Sequence, residues 1–451
     1  MEPVLKTGGR KRLVGSNPTP SARTVVTVIL ERKEELVTEL RPRSTRSSER
    51  AAIARHGRLK QSGPFISSLK FVAVAVAVVL ISAASIALVS VQQLSNSVKT
   101  VDLLGQAEGP PPDLGSYEGG FNVLVVGSDV CEDDSGCNGR GSAELNDVTI
   151  VLHVSADQTN AVAVSIPRDM VVPIPSCPSS NGKGNSRAMS GQPINVSLFY
   201  GGLPCTVLTV KALTGLDIQY AMLVKFTGII NITNAIGGVP VCVDGPINDP
   251  YSGFSAPSAG SYTLAGGQAL AFLRTRYGFG DGSDLGRISG QQLFLSSMIK
   301  TLREPKGALN DPVALFKIAA AVSENTILSS NLKNPVTLVS MANVVKKLDL
   351  SKVVFVQYPS IYGTSGLYLG KVQPVPSVAA ALIAKIKADQ PVVPTATGKG
   401  TKADVAVPST PVVDPSAPTT TRTDASDAID GLQGQTAAQA TCAKKFENKK
   451  Q

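Results

Sequence analysis

The stretch FNVLVVGSD, residues 121–129, is the clearest strand in the chain: an apolar run from Phe121 to Val126 is stopped by Gly127 and followed by a carboxylate at Asp129. A short, β-branched run closed by glycine reads as a buried strand. Two further runs, Val148–Val154 and Ala161–Ile166, are joined by the polar turn Asp157–Asn160 and read the same way. Beyond them the pattern alternates. Helix-like stretches at Leu203–Leu213, Thr227–Ile236, Gly267–Leu273, Arg287–Leu302, Pro312–Glu324 and Pro335–Leu348 intersperse with strands at Tyr220–Phe226, Val239–Val243 and Lys352–Gln357. Alternation of this kind predicts an α/β domain, helices layered on a sheet, over roughly 115–388.

Working outward, Phe71–Val91 is 21 residues without a charge, about 31 Å as a helix and so about one bilayer core. Residues 1–70 carry fifteen Lys or Arg and six Glu, which accounts for the whole net charge of +9; the remainder balances at 28 of each sign. That placement predicts a single-pass cell-membrane anchor with a cytoplasmic N-terminus and an extracellular C-terminal domain. A buried core helix or a cleaved signal peptide, with Ala83, Ala84 or Ala87 at the processing position, is the alternative; the length, the missing polar face and the long leader argue for the anchor. The positive charge therefore speaks for membrane orientation, and no nucleic-acid partner is expected.

The leader 1–70 lacks apolar periodicity beyond Val25–Leu40 and reads as disordered, residues 92–114 as an extracellular linker, and 389–451, rich in Pro, Thr and Ala, as an extended tail without a packed core. All six cysteines follow the apolar segment, where thiols oxidise. Cys131 and Cys137 bracket the short acidic loop CEDDSGC, Cys177 and Cys205 a polar Ser/Asn/Gly stretch, and these are the expected disulfides, while Cys242 and Cys442 have no evident partner. Six cysteines allow fifteen pairings, so spacing leaves the choice open.

Chemistry is carried at the strand ends. Asp129 ends VVGSD, Asp147 opens NDVTI, and Arg168-Asp169 close SIPRD. Residues just past the ends of strands in an α/β sheet converge on one crevice, and carboxylates beside an arginine suit Mg²⁺ with a phosphorylated ligand. A second cluster, LRTRYGFGDGSDLGRISGQQ (273–292), holds Arg274 and Arg276, and then Arg287 and Gln291 one helical turn apart. Arginines that fork onto phosphate oxygens near a helix start make a pyrophosphate clamp. Spacing alone equally allows turn carboxylates and solvated surface arginines. No Walker loop or GxGxxG fingerprint occurs, and with histidine only at 56 and 153, Ser-His-Asp catalysis is nearly excluded.

VLVVGSD, DVTI with SIPRD, INVSLFYGG, and R-x-R followed by GR-x-x-x-Q, in this order over about 120–303, resemble the LytR-CpsA-Psr family, especially its actinobacterial members. The resemblance implies a three-layer α/β/α extracellular domain with a mixed central sheet, preceded by a single transmembrane helix. It further implies a phosphotransferase that moves a glycopolymer from a polyprenyl-diphosphate carrier to a peptidoglycan hydroxyl, that of muramic acid C6, with a hydrophobic pocket for the lipid. Asp129 and Asp147 match the family's Mg²⁺ (or Mn²⁺) ligands, Arg168, Arg274, Arg276 and Arg287 its diphosphate-binding and catalytic arginines, Gln291 its clamp glutamine, and Asp169 completes PRD. Phe199, Phe226, Ile229 and Ile230 are candidates for the lipid pocket. Leu145 and Pro193 stand where the family usually carries Arg and Lys; Arg140, Lys183 or Arg187 are the nearest substitutes.

Overall fold

The computed structural model describes residues 64–104, 117–129, 144–180, 182–305, 307–403 and 428–446. The expected disorder of the leader before residue 64, Cys131, Cys137 and Arg140 lie outside the described residues. The apolar stretch 71–91 falls inside a 34-residue helix, α1 (Pro64–Ser97), along which Phe71, Val72, Val74, Val76 and Ile81 are exposed.

The domain that follows opens with β1 (Lys99–Val101), β2 (Phe121–Ser128), β3 (Asn146–Val154) and β4 (Ala161–Ile166). A ribbon of β5 (Val171–Ile174) and β6 (Met189–Pro193) leads to α2 (Ser197–Thr214), kinked at Gly201-Gly202. Next come β7 (Tyr220–Val224), α3 (Phe226–Ile236) and β8 (Val239–Val243). Gly237, at φ +86°, ends α3, because glycine takes the left-handed conformation of a helix C-cap without steric cost. β9 (Ile247–Asp249), β10 (Phe254–Ala256) and β11 (Gly260–Leu264) precede α4 (Gly266–Arg274) and α5 (Asp284–Arg303). After α6 (Pro312–Asn325) and β12 (Thr326–Ser329) come α7 (Pro335–Lys347) and β13 (Val353–Gln357). Proline in the first turn of α6 and α7, with Asp311 and Asn334 accepting the amides of Val313 and Val336, fixes both starts. The chain closes with β14 (Ser360–Tyr362), β15 (Val372–Pro374), α8 (Pro376–Lys387), β16 (Val393–Ala396), β17 (Thr401–Ala403), β18 (Ala428–Thr436) and β19 (Thr441–Ala443).

Nine strands form one mixed sheet in the order β1-β12-β7-β2-β3-β4-β13-β18-β16. β2 runs parallel to β7 and antiparallel to β3; β4 runs antiparallel to β3 and parallel to β13. The alternation along β2 explains the layers. Leu124 and Val126 pack with Leu198, Val207 and Val210 of α2 and Leu382 and Ile386 of α8, whereas Phe121 and Val123 pack with Met341 and Val344 of α7. Helices therefore cover both faces, in agreement with the α/β/α expectation. Ile194–Thr214 is long and apolar enough to cross a membrane, but half of it is buried, and Ile194, Leu198, Leu203, Val207 and Val210 belong to the core while Phe199 is exposed. A smaller sheet, β11-β8-β19-β17, encloses a separate core around Phe254, Phe272, Phe279 and Phe294.

Two boundary expectations need correction. Residues 92–114 are not linker throughout, since α1 runs to Ser97 and Lys99–Val101 pairs with β12. The tail is not a solvated extension over 393–403 and 428–446. There β18 joins the large sheet beside β13, and β19 joins the small one beside β8, to which the Cys242–Cys442 disulfide ties it. The physical reason is that β18, AIDGLQGQT, carries little apolar patterning of its own. Its pairing comes from the exposed edge of β13, about 75 residues earlier, and local periodicity does not register such a partner. The expected Cys177–Cys205 disulfide is formed, and the two cysteines left without partners pair with each other.

Candidate functional site

The antiparallel register of β3 and β4 sets Thr149 opposite Ile166, so Asp147 at the start of β3 meets Arg168 just past the end of β4. Their side chains form a direct ion pair, Arg168 Nη1 to Asp147 Oδ1. Arg168 Nε stands 3.8 Å from Asp169 Oδ2 and 3.5 Å from Asp284 Oδ1, and Lys371 Nζ approaches Asp169 from its other side at 3.8 Å.

Asp284, in the first turn of α5, is the hub that sequence reasoning did not single out. It is 1% exposed, and its Oδ1 lies 2.9 Å from Arg287 Nη2, 3.5 Å from Arg168 Nε and 3.7 Å from Arg276 Nε. Ser283 caps the helix by accepting the Gly286 amide at 3.1 Å, and a carboxylate in the first turn also suits the positive end of the helix. The i, i+3 spacing of Asp284 and Arg287 in DGSDLGR was the available signal. Arg287 is 4% exposed and donates through Nη2 to the Asp147 carbonyl at 3.1 Å.

Opposing forces act on these cations. Burial alone would lower the Arg168 pKa, but the charges of Asp147, Asp284 and Asp169 outweigh it and the net shift is upward. For Arg287 burial wins: its pKa is lowered, with Arg168 and Arg276 adding to burial against Asp284 and Asp147. The buried Nε atoms of Arg168, Arg276 and Arg287 have no hydrogen-bond acceptor, and neither Asp284 oxygen receives a well-aligned hydrogen bond. These atoms are charge-paired all the same, Arg168 Nε and Arg276 Nε facing Asp284 Oδ1 at 3.5 and 3.7 Å.

Two cavities meet at this cluster. The polar one, about 270 Å³, is lined by Asp147, Arg168, Arg274, Arg276 and Arg287, with Asp249, Tyr251 and Tyr277. The other, about 120 Å³, is apolar, walled by Val125, Val126, Val148, Ile150, Val224, Phe226, Ile229, Leu270, Leu273 and Leu295. Asp147, Arg274 and Arg287 belong to both. At the junction the Arg274 guanidinium lies 5.0 Å from the centre of the Phe226 ring, a cation–π contact.

The four arginines named from sequence thus share one cavity with Asp147. Gln291 lines the apolar cavity instead, donating through Nε2 to the Leu273 carbonyl at 3.1 Å. Asp129 lines neither; its Oδ1 accepts the Leu145 amide at 3.2 Å. Asp169 pairs with Arg168 and Lys371 and lines neither cavity. Phe226 and Ile229 line the apolar cavity whereas Phe199 and Ile230 do not, and neither Lys183 nor Arg187 lines either space. Among the described residues no group of three His, Cys, Asp or Glu is arranged to hold a metal alone.

Residues 82–373 match the profile of the LytR_cpsA_psr family. The chain belongs to the LytR-CpsA-Psr family. It is 29% identical over 279 residues to the cell wall biosynthesis protein LcpA of Corynebacterium glutamicum, covering 56% of this chain and 52% of that protein. It is 26% identical over 290 residues to the polyisoprenyl-teichoic acid–peptidoglycan teichoic acid transferase TagT of Bacillus subtilis, covering 62% of this chain and 83% of TagT. The chain thus spans about half the length of LcpA. Among solved structures, a LytR-Csp2A-Psr enzyme from Actinomyces oris aligns with 64% of this chain and 95% of its own, at 20% identity and a TM-score of 0.44.

Proposed function

We propose that this family member transfers a glycopolymer from a polyprenyl-diphosphate carrier to a hydroxyl of peptidoglycan, that of muramic acid C6, and releases polyprenyl phosphate. One observation carries the reading: an apolar cavity opens onto a cavity lined by four arginines, and Asp147, Arg274 and Arg287 belong to both. Such a junction suits a molecule with a hydrocarbon chain joined directly to a diphosphate. The names of LcpA and TagT point the same way.

The acceptor hydroxyl attacks the phosphorus that bears the glycan. A new P–O bond forms to the acceptor, the bridging P–O bond breaks, and polyprenyl phosphate leaves with the electron pair. Charge grows on the bridging and equatorial oxygens, where Arg168, Arg274, Arg276 and Arg287 stabilise it without reorganising, because Asp284 and Asp147 already hold three of them in place. Asp129 or Asp147 takes the proton of the acceptor. Asp129 and Asp147 are the hard carboxylates that would hold Mg²⁺ or Mn²⁺, with phosphate oxygens completing the shell; of the two, Asp147 lines the polar cavity. When bound, such an ion supplies further neutralisation of the phosphoryl oxygens.

Within this reading α1 is the membrane anchor, with the basic leader cytoplasmic and the domain outside. The Cys177–Cys205 and Cys242–Cys442 disulfides support an oxidising compartment for the domain. The test is to incubate the purified chain in detergent with Mg²⁺, a labelled polyprenyl-diphosphate glycan and peptidoglycan oligomers. Label joined to peptidoglycan is the expected result. Binding without turnover would mean a carrier-binding scaffold, a role that Leu145 and Pro193 would favour, and release to water alone would mean a hydrolase; either overturns the transferase reading.

A further inference from the structure

The polar cavity has a rim that neither the arginines nor the apolar pocket explains. Tyr251 and Tyr277 line it while remaining 78% and 54% exposed, and their rings lie 5.0 Å apart, centre to centre, at 47°. Both are set by one buried carboxylate. Asp249, 1% exposed, accepts the amides of Tyr251 (3.0 Å) and Ser252 (3.3 Å) on Oδ1 and those of Arg276 (2.8 Å) and Tyr277 (3.0 Å) on Oδ2. Four backbone donors on a single carboxylate make a stiff support, and it ties the two aromatic residues to the backbone of a clamp arginine.

The chemistry of the carrier says which part of it meets this rim. Lipid and sugar are esterified to opposite ends of a diphosphate, so a ligand whose hydrocarbon enters the apolar cavity and whose phosphates meet the arginines has to direct its sugar away from the lipid. Tyr251 and Tyr277 line the polar cavity and take no part in walling the apolar one. Tyrosine suits the sugar, because the electron-rich ring face attracts the C–H bonds of a pyranose while the hydroxyl stays in water. We propose that Tyr251 and Tyr277, pinned by Asp249, form a stacking platform for the sugar attached to the diphosphate and so contribute to the choice of glycan. This rests on the carrier reading given above.

The experiment compares two probes of equal charge on the full chain in detergent: the methyl ester of geranylgeranyl diphosphate, and the same lipid diphosphate esterified to N-acetylglucosamine. The wild type is expected to favour the sugar-bearing probe by roughly five- to tenfold, the scale of one to two ring contacts. Tyr251→Ala with Tyr277→Ala should bring that affinity ratio close to one, whereas Tyr251→Phe with Tyr277→Phe should keep it, since the rings remain. A double alanine variant with the wild-type ratio, or a wild type that does not prefer the sugar-bearing probe, overturns the platform alone. A wild type that binds neither probe overturns the carrier reading, and the platform with it.

Discussion

Replacing Asp284 by Asn keeps the shape of the side chain and removes the charge that three guanidinium groups share. In the wild type its Oδ1 stands 2.9 Å from Arg287 Nη2, 3.5 Å from Arg168 Nε and 3.7 Å from Arg276 Nε, with both Asp284 and Arg287 almost wholly buried. Breaking a buried pair by neutralising one partner typically costs about 3–5 kcal/mol, because the remaining charge is left uncompensated away from water. At ~2.1 cal/mol/K per residue, a domain of roughly 300 residues unfolds with an entropy near 0.6 kcal/mol/K, so Tm should fall by about 5–8 °C. Inorganic pyrophosphate should then stabilise the variant more than the wild type, since the arginines have lost their internal counter-charge and the anion replaces it. Thermal unfolding with and without millimolar pyrophosphate measures both effects. An unchanged Tm, or equal stabilisation of the two proteins by pyrophosphate, would refute the idea that Asp284 compensates the clamp.

Ile229→Trp places an indole in the wall of the apolar cavity; excluding two or three methylenes of the lipid at ~0.8 kcal/mol each should weaken prenyl diphosphate binding about thirtyfold, read by titration. Cys442→Ser removes the link that closes a separation of 200 residues between β8 and β19 and should cost about 2–5 kcal/mol in urea unfolding, with a larger loss in wild-type protein after reduction, which opens Cys177–Cys205 as well. His153 predicts a pH dependence. Its Nδ1 lies 2.8 Å from Asn122 Oδ1 and its Nε2 3.1 Å from Asp389 Oδ1, and burial lowers its pKa against the opposing pull of Asp389. The folded pKa lies below the unfolded one, so as pH drops through about 6.5 the unfolded chain takes up the proton first and stability declines, levelling off once the folded pKa is passed. Urea midpoints at pH 7.5 and 5.5 should therefore differ more for the wild type than for His153→Gln.

Strands β2, β3 and β4 were legible because each is a short run rich in apolar and β-branched residues, and α3 because Gly237 and Gly238 stop it where the pattern ends. Arg168, Arg274, Arg276 and Arg287 were legible as a set because they sit at strand and helix ends that the topology gathers. Asp249 and Asp284 were not, since a carboxylate before proline or in a Gly-rich stretch reads as a turn residue, and only burial by distant elements makes it a hub. The last strands escaped for a related reason: β18 is largely polar and β19 only three residues long, and what holds them is β13, β8 and Cys242, at long range. Local periodicity sees the partners a residue has within a turn or two, and these have none there.

The most direct measurement is a crystal structure of the domain with geranylgeranyl diphosphate. The phosphates are expected among Arg168, Arg274, Arg276 and Arg287, and the hydrocarbon against Phe226, Ile229 and Leu270. A lipid bound elsewhere, or phosphates that touch none of these arginines, would contradict the carrier reading.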